Sequence, residues 1–137
     1  MELDRSRTGP DSPAVGVELD NLGAALAAQH RFGEAERVLN EALAISEKLH
    51  GTSHPDVADV LANLAELYGA ESRYPEAAAA YKRSIDIRQA VFGQNNPWLI
   101  VHLEAYARLM RKMRDYAEAE RADVRALGIQ VRNSLHP

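Results

Sequence analysis

In this 137-residue sequence, the side chains whose types could do chemistry are five histidines, two pairs of spaced glutamates and a group of cations around residue 110. His50 and His54 are four apart, the spacing that aims two imidazoles at one ion when both sit on a helix. Gly51 and Pro55 break that helix, so no zinc site is expected, and His54 reads as a linker residue capping the helix begun by Pro55. Glu34/Glu36 and Glu118/Glu120 would need burial and a raised pKa to serve as an acid–base pair. Their place in first helical turns instead suits the helix dipole. There is no cysteine, which excludes disulfides, thiolate metal sites and cysteine nucleophiles. Glycine-rich phosphate loops and a Gly-x-Ser-x-Gly turn are also missing. Neither an enzyme nor a cofactor is expected. What remains is recognition chemistry: the amides of Asn21 and Asn63, and the cations Arg108, Arg111 and Lys112.

The elements that position these groups repeat every 42 residues. Asn21-Leu22-Gly23 returns as Asn63-Leu64-Ala65 and, more weakly, as Ala105-Tyr106-Ala107. Phe32-Gly33-Glu34-Ala35 returns as Tyr74-Pro75-Glu76-Ala77 and Tyr116-Ala117-Glu118-Ala119, while Pro13, Pro55 and Pro97 keep the same interval. A fixed period of this length signals stacked supersecondary units, each too small to bury its own apolar face.

Within each repeat the apolar spacing is helical. Val15, Leu19, Leu22 and Leu26 fall on one helix face, as do Val57, Leu61, Leu64 and Tyr68, and Leu99, Leu103, Tyr106 and Met110. Proline at a first helical position loses no hydrogen bond, so these helices are expected to start at the three prolines, with Ser12 and Asn96 as favoured caps and His54 as a poorer one. A second helix follows each turn at His30-Arg31, Ser72-Arg73 and Arg114-Asp115. Gly23, Ala35 and Ala42 are small where the two helices should cross closely. Strand and hairpin signals are lacking. The expected fold is all-α, an α-α superhelix of three stacked antiparallel helix pairs. Its parts would be a flexible segment at 1–12, repeats at 13–54, 55–96 and 97–133, and a tail at 134–137.

The composition, 46% apolar and 26% charged, fits a folded chain in water, and no stretch approaches the ~20 apolar residues of a membrane helix. Residues 1–13 mix Glu2, Asp4, Arg5 and Arg7 without an apolar centre, so no leader is read there. With cysteine lacking, the cytoplasm is the expected compartment. The net charge of −4 is uneven: residues 13–55 carry −3, 56–97 carry −2 and 98–137 carry +2. No contiguous basic face for nucleic acid follows from this.

At these positions the sequence resembles the tetratricopeptide repeat. The large, small and aromatic positions of that family fall on Leu19, Leu22, Gly23, Leu26, Ala35, Leu39 and Ala42, with counterparts at Leu61, Leu64, Ala65, Tyr68, Ala77, Tyr81 and Ser84. The third repeat gives Leu103, Tyr106, Ala107, Met110, Ala119, Asp123 and Ala126, and departs from the pattern at Asp123, which stands at an aromatic, packed position. The period exceeds the usual ~34 residues. With Gly51-Thr52-Ser53-His54-Pro55-Asp56-Val57 between repeats, it is similar to the kinesin light chain subtype. Met1 and Leu3 sit one period before Leu43 and Ile45, and His136-Pro137 echoes His54-Pro55, which suggests an excerpt of a longer array.

The resemblance implies a protein-interaction module whose first helices line a concave face. Carried over by position, that face comprises Val17, Asn21 and Ala24, then Asp59, Asn63 and Glu66, then Val101, Arg108, Arg111 and Lys112. Asparagine there either fixes the backbone of a bound peptide or bonds a neighbouring repeat. The three cations are either a solvated face or a pocket for a carboxylate, which would give the partner an acidic end. Trp98 either anchors a partner or packs on Phe92. The expected partner is a protein or peptide, with neither nucleic acid nor membrane involved. The alternative is a structural segment of a longer array, or a homodimer formed through uncapped terminal helices.

Overall fold

The computed structural model of the protein describes residues 12–135. These form α1 (Pro13–Ala28), α2 (Phe32–His50), α3 (Pro55–Ala70), α4 (Tyr74–Phe92), α5 (Trp98–Lys112) and α6 (Tyr116–Leu135), with no strand among the described residues. The echoes at Met1, Leu3, His136 and Pro137 lie outside them.

Local chemistry sets each helix start. Ser12 Oγ accepts from Val15 N at 3.3 Å and His54 Nδ1 from Asp56 N at 3.0 Å, each ahead of a proline that opens its helix. At the third repeat Asn96 Oδ1 accepts from Trp98 N at 2.8 Å; Pro97 already has helical torsions but the helix itself begins at Trp98. The first helices all end alike. His30, Ser72 and Arg114 sit at φ of 61°, 61° and 62°, one period apart. In each turn the next amide reaches back to close the helix: Arg31 N to Leu26 O, Arg73 N to Tyr68 O and Asp115 N to Met110 O, at 2.8–2.9 Å. This is the Schellman closure, built here on residues other than glycine.

The helices pack as three antiparallel pairs, α1 with α2, α3 with α4 and α5 with α6, and each pair stacks on the next through α2 on α3 and α4 on α5. Ala35, Leu39 and Ala42 are fully buried beneath α1, where Gly23 lets the backbone approach so closely that an added Cβ would stand 2.5 Å from Leu39 Cγ. α1 and α3 also touch directly. Salt bridges Glu36–Arg73 (2.8 Å) and Glu47–Arg83 (3.3 Å) tie α2 to the turn before α4 and to α4 itself.

One apolar expectation differs, and a residue at the opposite end shows the same effect. Leu22 is 48% exposed, although its counterpart Leu64 is only 2% exposed. The repeat pattern places both on a core face, but α2 covers Leu64 and no described element precedes α1 to cover Leu22. At the other end Leu127 is 58% exposed, whereas Ile85, one period earlier, is 4% exposed among Leu99 and Leu103 of the following repeat.

Candidate functional site

The first helices carry all ten residues that the sequence expects on the inner face, and six of them line two clefts. Val17, Asn21, Ala24, Asp59, Glu66, Val101, Arg108, Arg111 and Lys112 are exposed, and Asn63 is half-buried. Their chemistry divides the face into two clefts.

The first cleft lies between α1 and α3 over α2. It gathers Val17, Asn21 and Asp59 from the expected set, with Asp20, Asp56 and His50 beside them. Three carboxylates converge here. Burial, then repulsion from Asp59 and Asp56, pushes the Asp20 carboxyl above its ordinary 3.8, partly opposed by a hydrogen bond from Asn63. That bond, Asn63 Nδ2 to Asp20 Oδ1 at 2.8 Å, joins α3 to α1. Of the two roles open to asparagine, Asn63 performs the inter-repeat one.

The second cleft lies between α3 and α5 and brings Glu66, Arg108 and Lys112 together around Ala65, Gly69 and Tyr81. Tyr81, which the sequence assigned only to packing, forms its floor at 7% exposure, and its hydroxyl is pushed up to about 12 by burial and by Glu66. Lys112 Nζ lies 5.3 Å from the Tyr74 ring centroid, so its charge is held at the α3/α4 end of the cleft. Arg111 points elsewhere: it pairs with Asp123 at 2.6 Å, tying α5 to α6. Asp123 stands at a position that is buried in the other repeats, and this ion pair accounts for its polarity. Ala24, Asn63, Val101 and Arg111 line neither cleft.

Between the clefts stands a cluster that the sequence reading missed. Arg88 of α4, 5% exposed, reaches up between α3 and α5 to pair with Asp59. Its guanidinium lies 4.8 Å from the Trp98 ring centroid. Trp98 is 61% exposed and stacks on His102 at 6.0 Å, so its ring partner is one turn further along its own helix rather than Phe92. Burial and the Arg88 charge push the His102 imidazole below its ordinary value, and both His102 Nε2 and Arg88 Nε are buried without a hydrogen-bond partner. No spacing rule links Asp59, Arg88 and Trp98, because they come from three different helices.

The remaining difference concerns His50 and His54. The helix does break between them, with Gly51 at φ 81°, yet the two rings stack with centroids 4.0 Å apart. The break folds the linker back on itself and closes the gap instead of opening it.

Among the described residues no helix is long and apolar enough to cross a membrane. A family model of the tetratricopeptide repeat matches residues 17–90 and 63–130. No curated protein matches the sequence. Among solved structures, BtubC (BKLC) from P. vanneervenii is 27% identical with a TM-score of 0.87, over 96% of this chain and 53% of that one. A protein from Podosopora anserina, described as a putative kinesin light chain with nearly identical TPR-like repeats, is 20% identical with a TM-score of 0.76, over 88% of this chain and 57% of its own. A single-substitution variant of that protein gives 18% and 0.77, over 96% and 59%. The chain thus spans a little over half the length of the structures it matches. Tetratricopeptide repeats are generally protein-interaction modules without catalytic activity. The chain belongs to the tetratricopeptide repeat family.

Proposed function

We propose that this chain holds a peptide segment of a partner protein along the face made by α1, α3 and α5, as a non-catalytic cytoplasmic scaffold. The observation that carries this reading is the polarity of the two clefts. Asp20, Asp56 and Asp59 crowd the first, and Arg108 and Lys112 flank the second. A segment with a basic residue at the α1 end and a carboxylate at the α5 end complements both. Asn21 and Glu66 remain exposed to meet peptide amides, and Val17 and Val101 offer apolar contact. With a groove of only three first helices, affinity should be modest. Selection from a random peptide library should enrich segments with an acidic residue. Arg108→Glu with Lys112→Glu should then weaken the selected peptide about tenfold or more and flatten its salt dependence. Affinity unchanged by the charge reversal and by salt would reject this reading.

A second reading, self-association through the terminal helices, is favoured by Leu22 and Leu127. Each is the exposed member of a series whose internal members are covered by a neighbouring repeat. Light scattering over a dilution series tests it: a mass that rises with concentration and falls back in Leu127→Glu supports stacking, and a constant monomer mass rejects it.

A further inference from the structure

The junction between the first two repeats gathers two imidazoles and a carboxylate from the end of α2 and the start of α3. His50 is the last residue of α2, His54 caps α3, and Asp56 is the second residue of α3. Asp56 Oδ2 lies 3.3 Å from His50 Nε2 and 3.9 Å from His54 Nδ1. One ligand atom from each residue falls within 4.8 Å of the other two, and all three side chains are partly exposed. The geometry points to a divalent transition-metal site, of the zinc class, formed by His50, His54 and Asp56.

Ligands at about 2.0–2.2 Å around a tetrahedral zinc stand roughly 3.3 Å apart, so the His50–Asp56 edge already has that length. The other edges must contract by small side-chain rotations, and the stacked rings must splay so that two lone pairs converge on one ion. Two imidazoles with one carboxylate suit zinc, nickel or copper better than magnesium or calcium, which take oxygen ligands. The fourth position faces solvent and would hold water or a group from a partner.

One existing bond changes. His54 Nδ1 accepts the Asp56 amide at 3.0 Å, and the ion takes the same lone pair. Binding therefore exchanges a helix cap for coordination, which keeps the affinity well below that of a closed structural zinc site. The compensation is electrostatic. His50 and Asp56 both line the acidic cleft with Asp20 and Asp59, and a dication at its edge offsets the crowding of three carboxylates.

The repeat supplies its own control. One period on, the same positions hold Phe92, Asn96 and Trp98, and Asn96 caps α5 as His54 caps α3. The scaffold thus accepts other residues at all three places.

Titration of the purified chain with zinc chloride by calorimetry, and with cobalt chloride by visible absorption, tests the site. One saturable ion per chain is expected, with a cobalt spectrum of nitrogen and oxygen ligation. His50→Phe, which imports the second junction's residue, and Asp56→Asn should each weaken binding about tenfold or more with helicity unchanged by circular dichroism. His54→Asn keeps a capping acceptor while removing a ligand and should do the same. His30→Gln, distant in sequence from the junction, should bind as the parent does. Absence of saturable binding, or binding that survives His50→Phe and His54→Asn, would overturn the assignment.

Discussion

Asn63 on α3 donates its side-chain amide to the carboxylate of Asp20 on α1 across 2.8 Å, which makes one side chain a strut between two repeats. The bond is partly buried, so loss of the donor leaves Asp20 facing Asp56 and Asp59 with less compensation. Asn63→Ala is expected to cost about 1–2 kcal/mol of stability by denaturant titration. Asn63→Ala in an Asp20→Ala background should cost much less, because the partner is already gone. Equal losses in both backgrounds would mean that the two residues are not energetically coupled.

Asp20 itself gives a pH signature. Burial and its two acidic neighbours hold its folded pKa above the ordinary 3.8. A raised carboxyl pKa contributes stability that is fully present below the unfolded value and is lost as pH rises through the folded one. At neutral pH the ionised Asp20 is therefore a net burden. Asp20→Asn keeps an oxygen for Asn63 and removes the charge, so Tm should rise by about 2 °C at pH 7. The advantage should shrink as pH falls through the folded value and vanish well below 3.8, where both states of the parent are protonated. An advantage of the same size at pH 3 would point to a cause other than charge.

Gly23 and Gly128 are both helical, and alanine should act on them in opposite directions. A Cβ on Gly23 would meet Leu39 Cγ and Cδ2 at 2.5 Å, and Leu39 is fully buried. Overpacking of this kind costs about 1–3 kcal/mol and exceeds the helix-propensity gain of roughly 1 kcal/mol. A Cβ on Gly128 would meet no side chain or neighbouring element within 4 Å, so Gly128→Ala should show only the gain, about 0.5–1 kcal/mol. Thermal unfolding of the two single variants compares them directly, and a stabilised Gly23→Ala would show that α1 can move away from α2.

Much of this was legible in the sequence because a repeat is its own alignment. The 42-residue interval located the six helices and identified Ala35, Ala42 and their counterparts as crossing points. Periodicity fails where covering neighbours are needed: Leu22 and Leu64 share a phase but not an environment. It also fails for contacts among three helices. The Asp59–Arg88–Trp98 cluster occurs once, at one junction, so no recurrence announced it. For His50 and His54, reasoning on a continuous helix treated the break as separation, although a glycine at φ 81° turns the chain back toward itself.

The left-handed turn residues offer a gain that the sequence leaves open. Ser72 adopts φ 61° in the Schellman turn between α3 and α4, where glycine carries no steric penalty. Its side chain is exposed, and its one hydrogen bond, accepted from Tyr74 Oη, is long at 3.4 Å. Ser72→Gly should stabilise the protein by about 0.5–1 kcal/mol, the relief of strain outweighing the extra freedom of the unfolded chain. Ser72→Ala should be neutral or slightly destabilising. The ranking Gly above Ser above or equal to Ala in urea titrations checks it, and Ala above Gly would place the cost in the unfolded chain.

The Asp59–Arg88 pair separates breaking a partly buried ion pair from replacing it. The Arg88 side chain is 6% exposed while Asp59 is 52% exposed, so the cation is sunk between α3 and α5 and the anion forms its lid. Asp59→Ala leaves the guanidinium with the Trp98 face as its remaining named partner, and its Nε is already unsatisfied. A fully enclosed pair broken this way costs about 3–5 kcal/mol; access of water on the Asp59 side reduces the expectation here to roughly 1–2 kcal/mol. Arg88→Met fills the same shaft without a charge, frees Asp59 to hydrate and removes the repulsion that adds to burial in depressing His102 protonation. Asp59→Ala combined with Arg88→Met should therefore recover most of the loss; in Arg88→Met alone the His102 pKa, followed by proton resonance, should rise but stay below 6.5, because burial, the larger cause, remains. If the double variant is instead as unstable as the sum of the two singles, Arg88 holds the junction by packing and its contact with Trp98 rather than by its charge.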